Sequence, residues 1–221
     1  MIFLLAFILS KMNLLILVTA LAAIIVYFMF GLTDIVVSNS AQQIVNAKAE
    51  QALGIANSNK QCFSTQINMP YSIKYFGSSR EYFYAMKISR IPEITKEGEN
   101  NTLIFAIANR QHMDKIIAAK SIDTDAEIVL FGIPDPETFE LALQPSTSIV
   151  IDPQAVTPIT SFVLVKETYS GENYLYAIAC SFSGDSCQAN LGQVGGCIRA
   201  GRVANVPQHE SSCFPAGVCP P

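Results

Sequence analysis

Tryptophan is absent from this chain, histidine occurs only twice, and charged side chains make up only 14% of its 221 residues. Each scarcity argues against a class of function. With 14 Lys and Arg against 18 Asp and Glu, and a net charge of -4, there is no basic cluster of the kind that polyanions reward, so no nucleic-acid partner is expected. The two histidines, His112 and His209, are far apart and no C-x-x-C pair occurs, which argues against a thiolate–imidazole zinc set. No G-x-S-x-G, H-E-x-x-H or phosphate-binding glycine loop appears. No acidic residue precedes Asp34.

What fills that acid-free start is hydrophobic. Between Met1 and Leu32 the polar interruptions are Ser10, Lys11, Asn13 and Thr19, and residues 14–32 read LLILVTALAAIIVYFMFGL without a charge. A helix rises about 1.5 Å per residue, so roughly 20 such residues cross a hydrocarbon core of about 30 Å, and the run is expected to be a single membrane span. The alternative is a cleaved signal peptide with Ala20-Leu21-Ala22 as its small-residue site, but the apolar stretch is long and its basic leader weak. Lys11 before the run and Asp34 after it orient the N-terminus to the cytoplasm and the remainder outside. Met1 and Met12 both stand as start sites, because the apolar residues before Ser10 are too few to cross a bilayer.

All six cysteines, Cys62, Cys180, Cys187, Cys197, Cys213 and Cys219, follow the apolar run. An even count beyond an anchor reads as disulfides in an oxidising compartment, and six cysteines allow fifteen pairings. The pairing expected here joins Cys62 to Cys180, with the other four stapling the C-terminal stretch.

Along the chain the pattern implies an α+β protein: a long N-terminal transmembrane and amphipathic helix, a mainly antiparallel β domain, and a disulfide-stapled tail. Residues 1–32 form the anchor. Residues 33–61 form an amphipathic extension with Val37, Ala41, Ile44, Ala52 and Ile55 at helical spacing, ended by Gly54 and Asn57-Ser58-Asn59. Residues 62–183 are the extracytoplasmic β-rich part. Tyr82 to Ser89 alternates with Tyr82, Tyr84, Met86 and Ile88 on one face, Thr102 to Ala108 and Lys115 to Ser121 read as strands, and Glu93 to Asn101 reads as a charged loop. Two hairpins are expected, Ile116–Ser121 with Glu127–Phe131 about an acidic turn, and Ser161–Glu167 with Tyr174–Ser181 about a turn containing Gly171. Prolines 134, 136, 145, 153 and 158 keep the segment between them, with a short strand at Ser148–Ile151, out of a central sheet position. Residues 184–221, rich in cysteine, glycine and proline, are expected to be a tail held by disulfides rather than by a core of its own.

Few residues invite a chemical reading. Gly184-Asp185-Ser186-Cys187 is close to the G-D-S-G of a serine nucleophile, but cysteine replaces the glycine that shapes the oxyanion hole, so a turn inside a disulfide loop is the better reading. Asp123, Asp125 and Glu127 alternate, as calcium ligands might be arranged, without the twelve-residue glycine-bearing loop; a solvated turn is expected, extended by Asp135, Glu137 and Glu140. Asn100-Asn101-Thr102 is a glycosylation acceptor triplet in the expected polar loop. Tyr71, Tyr75, Phe76, Tyr82, Phe83 and Tyr84 form an aromatic stripe whose expected role is buried packing. No catalytic, cofactor-binding or metal-ligating residue is assigned.

An apolar helix running into an amphipathic one, then an antiparallel sheet and a disulfide-bounded end, resembles the type IV pilins and pseudopilins. The likeness implies a hydrophobic helix packed in a filament core with the sheet facing outward. A pilin carries a glycine at its peptidase site and a glutamate soon after, whereas here Gly31 sits at the far end of the run and no glutamate lies in it. The chain also looks like single-span envelope proteins of small-genome archaea, which implies an origin and no activity. The expected function is a noncatalytic envelope protein, a pilin-like surface subunit that associates with itself or with other envelope proteins. The alternatives are an accessory subunit of a secretion-type membrane complex and an envelope hydrolase whose site is assembled only in three dimensions.

Overall fold

Alanine and valine recur at four-residue intervals after Asp34, and that spacing creates the buried stripe of the helix α1 (Ile2–Ala56). Val37, Ala41, Val45, Ala49 and Ala52 are all buried, and Ile55 and Ala56 continue the line. Most of these side chains are small, so the helix axis lies close to the strands it covers. The computed structural model describes residues 2–75, 80–95, 98–133, 141–142, 144–156, 158–181 and 184–220; at 2–10, 28–33, 75, 80, 92–95, 98–100, 181 and 184–186 only the backbone is described. From Lys11 to Tyr27 the side chains of α1 are exposed all round. Among the described residues no helix is long and apolar enough to cross a membrane.

The strands are β1 (Cys62–Asn68), β2 (Ile73–Tyr75), β3 (Arg80–Tyr82), β4 (Tyr84–Thr95), β5 (Gly98–Asn109), β6 (His112–Thr124), β7 (Glu127–Phe131), β8 (Ser148–Ile151), β9 (Ile159–Tyr169) and β10 (Glu172–Ser181), followed by a second helix, α2 (Gly184–Arg199). They form two four-stranded sheets, ordered β1-β9-β10-β7 and β6-β5-β4-β8, with β2-β3 as a separate pair. All ladders are antiparallel except β10 with β7. The protein is therefore α+β with mainly antiparallel sheets, and β8 takes the edge that its neighbouring prolines foretold.

One core lies between the sheets. Alternation on β4 and β5 turns Tyr84, Met86, Ile88, Leu103, Phe105 and Ile107 inward, and Phe105 meets Phe162 of β9 at 6.2 Å between ring centres. Each such fully buried large side chain contributes roughly 1.5–3 kcal/mol. α1 packs against β6 and β5 of one sheet and β9 and β1 of the other, and so fills the side where those edges stand apart. On the opposite side Arg90 of β4 donates to the Ile128 carbonyl at 2.8 Å and pairs with Glu127 at 3.3 Å, joining the sheets.

A second core covers the outer face of the β1-β9-β10-β7 sheet, and here the expectations for the tail change. Residues 184–199 form α2, whose Cys187, Leu191, Val194, Cys197 and Ile198 are buried against residues such as Tyr176 and Ile178. Gly192, Gly195 and Gly196 had disguised this helical period as loop composition. The helix is closed by hydrogen bonds from Gly201 N to Ile198 O (3.0 Å) and Arg202 N to Cys197 O (2.9 Å), a Schellman arrangement. The last residues cross α2 backbone to backbone. A Cβ added to Gly217 would lie 2.2 Å from the Gly192 carbonyl oxygen. Since backbone cannot yield as a side chain tip can, Gly217→Ala should cost about 1–3 kcal/mol. Urea titration of the oxidised protein checks this, and an unchanged midpoint would mean the crossing is looser than described.

Three disulfides use all six cysteines: Cys62–Cys213, Cys180–Cys187 and Cys197–Cys219. The expected Cys62–Cys180 bridge is thus replaced. Cys180, at the end of β10, meets the first turn of α2, and the chain end returns to β1, because α2 lies across the sheet between them.

Other expectations are also corrected. Residues 116–131 make no hairpin: β6 pairs with β5, whereas β7 pairs with β10 in the other sheet, so the acidic turn is a crossover between layers, anchored by buried Ala126. Of the loop expected over Glu93 to Asn101, Glu93–Thr95 and Gly98–Asn101 are strand, because β4 and β5 stay paired out to Thr95 and Gly98. The glycosylation triplet consequently lies within β5. The β9–β10 hairpin forms as expected, with Ser170 (φ 54°) and Gly171 (φ 87°) supplying the two left-handed residues of a type I′ turn.

Candidate functional site

Three features were weighed. The first is a polar basin of about 650 Å³, lined by Asn101, Asp125, Glu127, Gly171, Glu172, Asn173, Tyr174 and Asn205. The β6–β7 crossover, the β9–β10 turn and the loop after α2 converge here. Its polar groups engage one another. Asn173 accepts from Thr168 Oγ1 (2.7 Å) and donates to Asp125 (3.2 Å), and the Tyr174 hydroxyl donates to Glu172 at 2.7 Å. Glu127 is held by Arg90. Burial, together with Glu172, Glu127 and Glu167, pushes the Tyr174 phenol up, so it stays a donor. Of the carboxylates expected on one side, Asp125 and Glu127 line the basin, while Asp123 accepts from Thr102 at 2.8 Å. Asp135, Glu137 and Glu140 lie outside the described residues. Among the described residues no group of three or more His, Cys, Asp or Glu is arranged to hold a metal ion.

The second feature is buried. Glu167 of β9 faces His209, whose Nε2 stands 3.1 Å from Oε1, near enough for an ion pair but without hydrogen-bond alignment. His209 Nδ1 is 2.7 Å from the Pro207 carbonyl, which accepts, so that nitrogen carries a proton. Tyr169 stacks on the imidazole at 4.0 Å, and the Tyr176 hydroxyl donates to Glu167 Oε2 at 3.3 Å. Burial, then the Glu167 charge, raises the Tyr176 phenol well above the usual tyrosine range. None of these hydrogen bonds joins His209 to a serine or cysteine, and His112 is exposed at the start of β6. The side chains of Gly184-Asp185-Ser186 lie outside the described ones. The cluster ties the chain end to the sheet.

The third is an apolar groove of about 590 Å³ between α1 and the connection from β1 to β2, where Ile44, Ala47 and Lys48 face Pro70, Tyr71 and Lys74. Burial lowers the Lys48 ammonium from its ordinary value. The aromatic stripe divides here. Tyr84 is buried, with its hydroxyl donating to the Pro70 carbonyl at 2.6 Å, and Tyr82 is half-buried, but Tyr71 and Phe83 fall between strands and are exposed. Phe76 and the Tyr75 side chain lie outside the described residues. That Tyr71 and Phe83 are solvated corrects the expectation of a wholly buried stripe, and composition held no signal for it.

No protein-family model matches this chain, no curated protein is similar to it, and no solved structure matches it.

Proposed function

We propose that this protein is a noncatalytic cell-envelope subunit. The N-terminal half of α1 sits in a membrane with its short N-terminus cytoplasmic, and the disulfide-bonded domain stands outside and binds partners or further copies of itself, as in a pilin-like surface assembly. The observation that carries the reading is the charge-free run of residues 14–32 within one continuous helix whose second half buries one face against the domain. The run extends past Tyr27 into residues whose side chains are not described, so its length is read from the sequence. Six paired cysteines beyond it support an oxidising location.

The test is fractionation of cells expressing the full chain. The protein is expected in alkali-washed membranes, with no cysteine alkylated before reduction and the outer domain open to protease added to intact cells. Soluble protein with free thiols would refute the reading. Electron microscopy of the extracted material then separates filaments from single particles.

A further inference from the structure

The end of the β domain from which α1 emerges carries several of the exposed large apolar side chains outside the helix: Phe83, Met113 and Val156, the last fully exposed. These come from the β3–β4 connection, the start of β6 and the β8–β9 connection, and a chain of contacts brings those three places to one end of the domain. Burial raises the Tyr82 phenol, the hydrogen bond from Asn109 opposes the rise, and the Asp34 charge adds to it. Asn109 reaches the Tyr82 hydroxyl at 2.7 Å, its neighbour Arg110 pairs with Asp152 at 3.0 Å, and Gln154 donates to the Tyr71 carbonyl at 2.9 Å.

Lengths agree with this placement. Gln42 of α1 donates to the Ala119 carbonyl of β6 at 3.3 Å. Ala119 pairs with Ala106 and His112 with Asn109, so the β5–β6 turn lies three β5 residues, about 10 Å, beyond Ala119, with residues 113–115 looped out of register. From Gln42 back to Leu32, at about 1.5 Å per residue, α1 covers about 15 Å. The turn therefore ends within about 5 Å of the level at which the charge-free run ends, and residues 112–116 are exposed there.

We infer that this rim of Phe83, Met113 and Val156 is a lipid-contact surface that seats the domain on the headgroup region of the bilayer holding α1. The inference rests on the anchor proposed above. The chosen occupant is lipid because the patch lies at the end of the domain from which the apolar helix leaves, where β6 starts and α1 enters side by side. Its exposed charges are mixed, with Lys74 and Lys115 set against Glu81 and Asp114, so seating comes from insertion of apolar and aromatic side chains and not from attraction to anionic lipid.

The lack of tryptophan makes the test direct, since any introduced indole is the only one. Phe83→Trp, Met113→Trp and Val156→Trp are compared with Ile91→Trp, an exposed site farther along β4, and with Leu21→Trp as a report on the anchor. Each full-length variant is reconstituted into phosphatidylcholine vesicles brominated near the glycerol end of the acyl chains for the surface sites, and near the methyl end for Leu21→Trp, and disulfide mass mapping confirms its fold. Interfacial indoles are expected to be quenched at least about two-fold more than Ile91→Trp, with no added effect of anionic lipid. Quenching at Leu21→Trp but not at the rim would overturn the seating and leave the anchor standing. Rim emission shifted to the blue without bromine quenching would also overturn it, assigning the patch to a second copy. Absence of quenching at Leu21→Trp would overturn both.

Discussion

Replacing Cys62 and Cys213 with alanine is expected to destabilise the disulfide-bonded domain by about 5 kcal/mol, the loop-closure value for a bridge of this span. The two cysteines are 151 residues apart in sequence, against 22 for Cys197–Cys219 and 7 for Cys180–Cys187. Because the entropy removed from the unfolded chain grows with the logarithm of the loop, the shortest bridge contributes only about 2.5 kcal/mol on the same basis. The long bridge is also the cleaner test. Cys62 and Cys213 are only half-buried, so alanine leaves little cavity, whereas Cys180 and Cys187 are buried. Since small domains hold only about 5–15 kcal/mol in total, the loss should bring the variant near its unfolding midpoint. Urea unfolding of detergent-solubilised protein followed by near-ultraviolet circular dichroism measures it. A loss below about 2 kcal/mol would show that the β1 start and the chain end are held by packing instead.

Breaking the His209–Glu167 pair should be nearly as damaging. The side chains are 2% and 5% exposed, so His209→Leu leaves a carboxylate in the interior with the Tyr176 hydroxyl as its remaining polar partner. Removing one member of a buried pair typically costs about 3–5 kcal/mol, because the other must stay charged without a partner or take up a proton. Adding Glu167→Gln removes the charge and keeps an oxygen to accept from Tyr176. The double variant should therefore recover at least about half of the loss. If the single and double variants unfold at the same urea concentration, the loss comes from imidazole packing against Tyr169 and not from charge.

These two predictions concern contacts that no reading of the chain in one dimension could supply. Much else was legible. The helical spacing after Asp34, the alternation in Tyr84, Met86 and Ile88, and the turn at Ser170-Gly171 report local periodicity and local backbone geometry, and the helix and the β9–β10 hairpin stand where they were expected, while the strand expected over Tyr82–Ser89 breaks at Phe83 and runs on as β4 to Thr95. α2 was missed because glycines occupy its face toward the chain end, a face shaped by a partner remote in sequence. The β6–β7 hairpin was wrongly expected because an acidic turn between two apolar strands looks the same whether the strands pair with each other or diverge into different sheets.

The candidate features follow the same division. Asp125 and Glu127 were seen as neighbours, but Glu172, Asn173 and Asn205 join them only by folding. His209 stood out as one of two histidines, yet nothing near it in sequence pointed to Glu167. By itself the sequence determined the long apolar-to-amphipathic helix, the β character of the middle, and an even set of cysteines, because these depend on composition and on periods of a few residues. Tertiary structure alone decided which cysteines meet, which strands share a sheet and which apolar side chains stay exposed. Those outcomes depend on pairings across tens of residues, where many arrangements satisfy the same local pattern and only the packing of the whole selects one.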